Sequence, residues 1–143
     1  MEEEIVSFET AMLLKEKEFN EPCSYYYENN DLYKLAYYHG EGTGFVRNNS
    51  PINDRLSCEE MQCTAPTQSL AQKWLREDRE CHMFVIPSLQ EGNIIYYVHI
   101  IRYSNKIYLG HNLILRDSTA STMTFTSYKE ALEEGLKYCL KSI

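Results

Sequence analysis

The sequence predicts an α+β fold, a mainly antiparallel sheet with helices on one face, and three observations predict it. A helical apolar stripe occupies the C-terminus, apolar runs joined by Asn- and Gly-containing turns read as hairpins, and 12 of the 143 residues are Tyr. Tyrosine suits pleated, half-buried surfaces because its ring packs while its hydroxyl keeps a polar partner.

Ser7 is placed to cap a first helix running to about residue 18, with Phe8, Ala11, Met12 and Leu14 on its apolar face. Glu21-Pro22 ends it. Residues 24–28 and 32–39 then read as a hairpin about the turn Asn29-Asn30-Asp31. From 40 to 63 the chain is rich in Gly, Asn, Ser and Asp without a sustained period, and a long loop is expected. Thr64-Ala65-Pro66-Thr67 opens a second helix ending near Asp78, with Leu70, Ala71, Trp74 and Leu75 on one face.

Residues 81–86 read as a short strand closed by Pro87, and Glu91-Gly92-Asn93 turns the chain into a long strand at 94–103. Ser104-Asn105-Lys106 returns it through 107–116, which Gly110 is expected to bend or bulge. A short strand is expected around 122–125. Ser127-Tyr128-Lys129-Glu130 fits a capping box, and Leu132, Gly135, Leu136, Cys139, Leu140 and Ile143 follow as one helical stripe that packs on the sheet. The expected order is α-β-β-(loop)-α-β-β-β-α in a single domain covering 1–143. Helix, Cys and aromatic strand follow one another twice, at 15–27 and 73–84, which leaves open an α-β-β pseudo-repeat.

Composition bounds the function. A compact domain of this length removes roughly 68–70 % of its unfolded surface from water, and 43 % hydrophobic with 24 % charged residues excludes disorder and fibrous repeats. Fourteen basic against 21 acidic residues give a net charge of −7 with no cationic block, which disfavours nucleic acid. Met1-Glu2-Glu3-Glu4 is acidic where a secretory signal would be basic, and no apolar run nears the roughly 20 residues that span a bilayer. No membrane partner is expected, and the expected location is cytoplasmic. Cys23, Cys58, Cys63, Cys81 and Cys139 form an odd set, so reduced thiols packed as small hydrophobes are expected.

The chemical candidates are weak. His39-Gly40-Glu41-Gly42-Thr43-Gly44 fits neither the dinucleotide nor the P-loop pattern and reads as a loop tip. Cys58 and Cys63 with Cys81-His82 match no compact zinc spacing, so no metal and no cofactor are expected. A Cys could meet His39, His82, His99 or His111 as nucleophile and base, but none sits at a strand-to-helix elbow, and no catalytic residue is assigned. Glu130, Glu133, Glu134, Glu77 and Asp78 read as solvated helix faces. Strand alternation sends adjacent tyrosines to opposite sides, so a sheet face is expected to carry a tyrosine patch, and an uncovered patch is an interface.

Three segments carry a resemblance: residues 11–23 (Ala11-Met12-Leu13-Leu14 through Glu21-Pro22-Cys23), Ala65-Pro66-Thr67-Gln68 with Lys73-Trp74-Leu75-Arg76-Glu77, and 126–136 (Thr126-Ser127-Tyr128 through Gly135-Leu136). Together they resemble a group of small proteins without assigned function encoded by gut anaerobic bacteria and their phages or integrated elements. The match covers most of the chain outside 40–61, and it brings no functional residues. Between Tyr103 and Thr126 this chain is longer than many members of that group. The helix–three strands–helix order of 66–143 is also similar to double-stranded-RNA-binding domains, but the last helix opens Ser127-Tyr128-Lys129-Glu130 with acids following, where those domains place basic residues.

The leading expectation is a small non-enzymatic interaction protein of phage or mobile-element origin. It would meet a protein partner, including a second copy as a homo-oligomer, through Tyr26, Tyr38, Tyr97, Tyr103 and Tyr108 or through the 40–61 loop. The competing expectation is a small-ligand or enzymatic site between sheet and loop, with His39, Tyr37, Arg47 and His99 as its residues.

Overall fold

A computed structural model describes residues 3–34, 45–49, 62–104, 107–114 and 123–143; for Gln62, Tyr103, Ser104 and 107–114 it describes the backbone alone. Helices and antiparallel strands are both present in quantity, so the chain is α+β. It divides into two compact units, 1–67 and 68–143. The acidic excess lies wholly in the first unit, and the second is close to neutral. No helix among the described residues is long and apolar enough to cross a membrane.

The first unit opens with α1, Phe8–Glu16. Ser7 caps it as expected, its hydroxyl oxygen accepting from the Thr10 N–H at 3.2 Å. The helix stops short of residue 18 because Glu18 adopts a left-handed φ of 69°. Phe19 N–H then bonds the Leu14 carbonyl and Glu18 N–H bonds that of Lys15, the pairing of a Schellman cap. Phe19, fully buried, is thereby turned into the core beside Val6, Ala11, Leu14 and Val46.

Strands β1 (Tyr25–Glu28) and β2 (Asp31–Lys34) form the expected hairpin, but its turn is only Asn29-Asn30. Both asparagines have positive φ, 51° and 72°, which makes a two-residue turn whose twist matches the strands. A third strand, β3 (Gln62–Thr64), pairs antiparallel with β1 and gives the order β2-β1-β3. The stretch expected as one loop is thus pinned at several points, since Cys23 and Val46 also exchange backbone bonds of 2.9 and 2.8 Å. Tyr27 packs edge-on against Phe8 of α1 and donates its hydroxyl to the Val6 carbonyl at 2.6 Å.

The second unit runs α2 (Gln68–Asp78), β4 (Cys81–Gln90), β5 (Asn93–Ser104), β6 (Ile107–Ile114) and α3 (Tyr128–Ser142). The sheet order β4-β5-β6 is antiparallel throughout. Contacts of α2 with β4, of α3 with β4 and β5, and of the helices with each other place both helices on one face. The stripe expected on the last helix is buried at Leu132, Gly135, Leu136, Cys139 and Leu140, where α3 packs on β4, β5 and α2 and Gly135 faces Met83 and Val98. Ser127 caps α3, accepting from the Glu130 N–H at 3.1 Å.

Two expectations for this unit need correction. β4 continues through Pro87 to Gln90, because the strand is at the sheet edge, where a missing N–H breaks no ladder bond. Where a short strand was expected at 122–125, the described residues 123–125 provide a single bridge, Phe125 opposite Tyr96. The turn read at 91–93 narrows to Glu91 and Gly92, with φ of 49° and 80°, because Asn93 already pairs with Gln90; Asn105 and Lys106 of the next turn lie outside the described residues. The register of β5 on β6 shifts between Arg102 and Tyr103, opposite the Leu109-Gly110 step where a bulge was expected. The α-β-β order does recur in the two units, but their third strands differ: β3 joins the first strand of its hairpin, and β6 joins the second.

Candidate functional site: the helix-free face of the second sheet

Strand alternation decides which side chains meet the helices. In β4, Cys81 and Met83 are buried under them, and in β5 so are Val98 and Ile100. The intervening residues therefore stand on the opposite face: seven of them are His82, Phe84 and Ile86 from β4 and Ile95, Tyr97, His99 and Ile101 from β5, and the half-buried Ser88, opposite Ile95, continues the face toward the hairpin tip. The register sets Phe84 opposite His99, Ile86 opposite Tyr97 and His82 opposite Ile101. Phe84 is 46 % exposed and Ile86 43 % exposed, while the other five are half-buried.

None of these seven residues is Asp, Glu, Lys or Arg. The face is a contiguous apolar and aromatic surface with imidazoles at His82 and His99 and one phenol, whose hydroxyl accepts from Gln90 Nε2 at 2.7 Å. A surface of this kind loses water favourably against another apolar surface and gives a small polar substrate few charged handles. Leu89 and Ile94, cross-strand partners beside the turn, are exposed at 74 % and 55 % but by the same alternation stand on the other side of the sheet, in the parity of Met83, Val98 and Ile100.

The residues expected at an interface scatter. Tyr97 lies within the face just described. Tyr26 is in the first unit, half-buried on β1, and stacks on its cross-strand partner Tyr33 at 5.6 Å. Tyr103 and Tyr108 are cross-strand neighbours at the bulge of β5 and β6, placed here by backbone only. Tyr38 lies outside the described residues. The expected tyrosine patch is thus, in the second sheet, a surface of Phe, Ile and His with one described tyrosine. Tyr96, the neighbour of Tyr97, turns to the other side and packs edge-on against Tyr128 of α3 at 6.2 Å.

Of the residues expected at a ligand site, His39 and Tyr37 lie outside the described residues. Arg47 belongs to the first unit, exposed, with its guanidinium donating to the Asn20 carbonyl at 3.1 Å. His99 belongs to the second. Among the described residues no three His, Cys, Asp or Glu side chains are grouped where they could hold a metal ion. Cys58 is outside the described residues, Cys63 is buried in β3, and Cys81 meets Cys139 instead of a histidine. Burial pushes the Cys23 and Cys63 thiols up to about 11, the opposite of what a nucleophilic cysteine needs.

Sequence reasoning missed Phe84, Ile86, Ile95 and Ile101 as surface residues. The signal was present as period-2 alternation, but which parity faced the helices depended on the pairing of β4 with β5 and on what lay above them. No protein-family model, curated protein or solved structure matches the chain.

Proposed function

We propose that this chain acts as a protein-interaction module, and that its helix-free sheet face binds the same face of a second copy. The observation that supports this is the composition of the face: seven neighbouring residues, apolar or aromatic except for two His, with Ser88 beside them and without a Lys, Arg, Asp or Glu. Two identical faces of this kind meet without like-charge repulsion, which is the requirement of an isologous contact. Stacked sheets pack about 10 Å apart with interdigitating side chains, and Phe84 and Ile86 stand out far enough to do so. Phe84 and Tyr97 supply the aromatic anchors on which association energy concentrates. The odd number of cysteines supports a reducing, cytoplasmic setting, and the resemblance to proteins of phages and integrated elements supports a mobile-element origin.

Native mass spectrometry of the wild type and of a Phe84→Lys, Ile86→Lys double variant tests the reading. The wild type should be a dimer and the variant a monomer with unchanged circular dichroism, because both positions are solvent-facing and their substitution leaves the core intact. A wild-type monomer at every concentration, or a dimer indifferent to both lysines, would sink it. A dimer carrying an adduct of defined mass would instead favour the small-ligand reading.

A further inference from the structure

We infer that Cys81 and Cys139 form an oxidisable dithiol, a site at which hydrogen peroxide installs a disulfide joining the first residue of β4 to the last turn of α3. The two thiols are free, fully buried, and lie with their sulfurs 3.0 Å apart, closer than ordinary non-bonded contact. A disulfide needs them to approach by only about 1 Å more. The residues are 58 apart in sequence, so the bond would close a long loop across the core of the second unit.

The surroundings favour the chemistry at one sulfur. Cys81 stands opposite Arg102 in the β4–β5 ladder, and the Arg102 guanidinium donates to the Ser142 carbonyl at the end of α3, at 2.9 Å. The hydrogen bond shared with Cys139 lowers the Cys81 thiol, burial opposes it, and the guanidinium charge adds to the lowering, so the thiol lies below its ordinary value. The same shared bond pushes Cys139 far up, so of the two thiols Cys81 is the more readily ionised. Cys81 begins its strand and Cys139 lies three residues before the end of its helix, where local opening admits a small oxidant.

The balanced sequence has two steps. The Cys81 thiolate attacks one oxygen of hydrogen peroxide, an S–O bond forms, the O–O bond breaks, and the departing hydroxide takes up a proton to leave water and a sulfenic acid. The Cys139 sulfur then attacks the Cys81 sulfur, the S–S bond forms, the S–O bond breaks, and the second hydroxide leaves as water with the Cys139 proton. Two thiols lose two electrons to one peroxide. Cys23 and Cys63, whose burial raises them to about 11 in the first unit, are poor competitors.

Peroxide treatment of the intact protein, followed by denaturation, alkylation and peptide mapping, tests this. The expected result is an intact mass lower by about 2 Da before alkylation, three alkylated cysteines after it, a Cys81–Cys139 linked peptide, and an unfolding midpoint that rises and falls back with dithiothreitol. In a Cys139→Ser variant the same treatment should leave Cys81 as a sulfenic acid that dimedone traps. Alkylation of both Cys81 and Cys139 after oxidation has consumed other thiols, or over-oxidation of Cys81 in the wild type without a linked peptide, would overturn the assignment. The wild-type mapping decides the matter even if the serine variant does not fold.

Discussion

Asn48 illustrates how single side chains organise the first unit. It is 8 % exposed, and its amide bridges the Phe19 carbonyl, to which Nδ2 donates at 2.9 Å, and the Thr64 N–H, which donates to Oδ1 at 2.8 Å. Asn48→Ala leaves both backbone groups buried and unpaired, so a loss of about 2–4 kcal/mol in urea unfolding is expected. The buried thiols carry a pH dependence. Below pH 9, the ordinary thiol value, Cys23 and Cys63 are protonated in both folded and unfolded chains. Between that pH and about 11 only the unfolded chain ionises, so it binds fewer protons and stability falls as pH rises, levelling off once the folded thiols ionise too. Each thiol accounts for at most about 3 kcal/mol of that fall. Urea midpoints across this range should drop less steeply in Cys23→Ala than in the wild type. Parallel curves would refute the assignment.

At the scale of elements, α3 was the most legible part of the chain because cap, charge and apolar period all agreed. The stripe includes a glycine for a steric reason. A Cβ on Gly135 would collide with Met83 Sδ and lie 2.9 Å from Val98 Cγ1, so the helix approaches the sheet too closely for alanine. Gly135→Ala, which in an exposed helix would gain up to about 1 kcal/mol, should here cost about 1–3 kcal/mol. A raised thermal midpoint would contradict this close packing. β4 was the least legible. Pro87 reads as a stop, and only the sheet order shows why it is not one. The two-residue turn makes Gln90 and Asn93 a hydrogen-bonded pair, which directs the backbone groups of odd-numbered β4 residues to the outer edge. Pro87 has no N–H to offer there, and the Met83 carbonyl is taken by Gln72 Nε2 of α2 at 2.8 Å. Both features blunt this edge against strand addition.

At the scale of the whole molecule, fold class and element order could be read from periodicity and turn residues, because those signals are local. Two features were not local. The three-residue β3 is too short to show a period, and it exists because β1 offers it a partner across a long sequence separation. Tyrosine content does not locate the exposed face, because tyrosines divide between environments: Tyr27 is buried on Phe8, Tyr96 packs on Tyr128, and Tyr97 stands on the open side. Parity and register, not residue type, select Phe84, Ile86, Ile95 and Ile101. Ile100 and Ile101 are adjacent in sequence but opposite in direction, the first 1 % exposed under the helices and the second on the open face.

That pair supplies the most direct measurement of the proposed association: methyl NMR spectra of isoleucine-labelled protein, recorded from dilute to concentrated solution. Pairing through the helix-free face predicts concentration-dependent shifts at Ile86, Ile95 and Ile101 with Ile100 unmoved. Spectra that do not change with concentration, or shifts that avoid those three methyls, would contradict it.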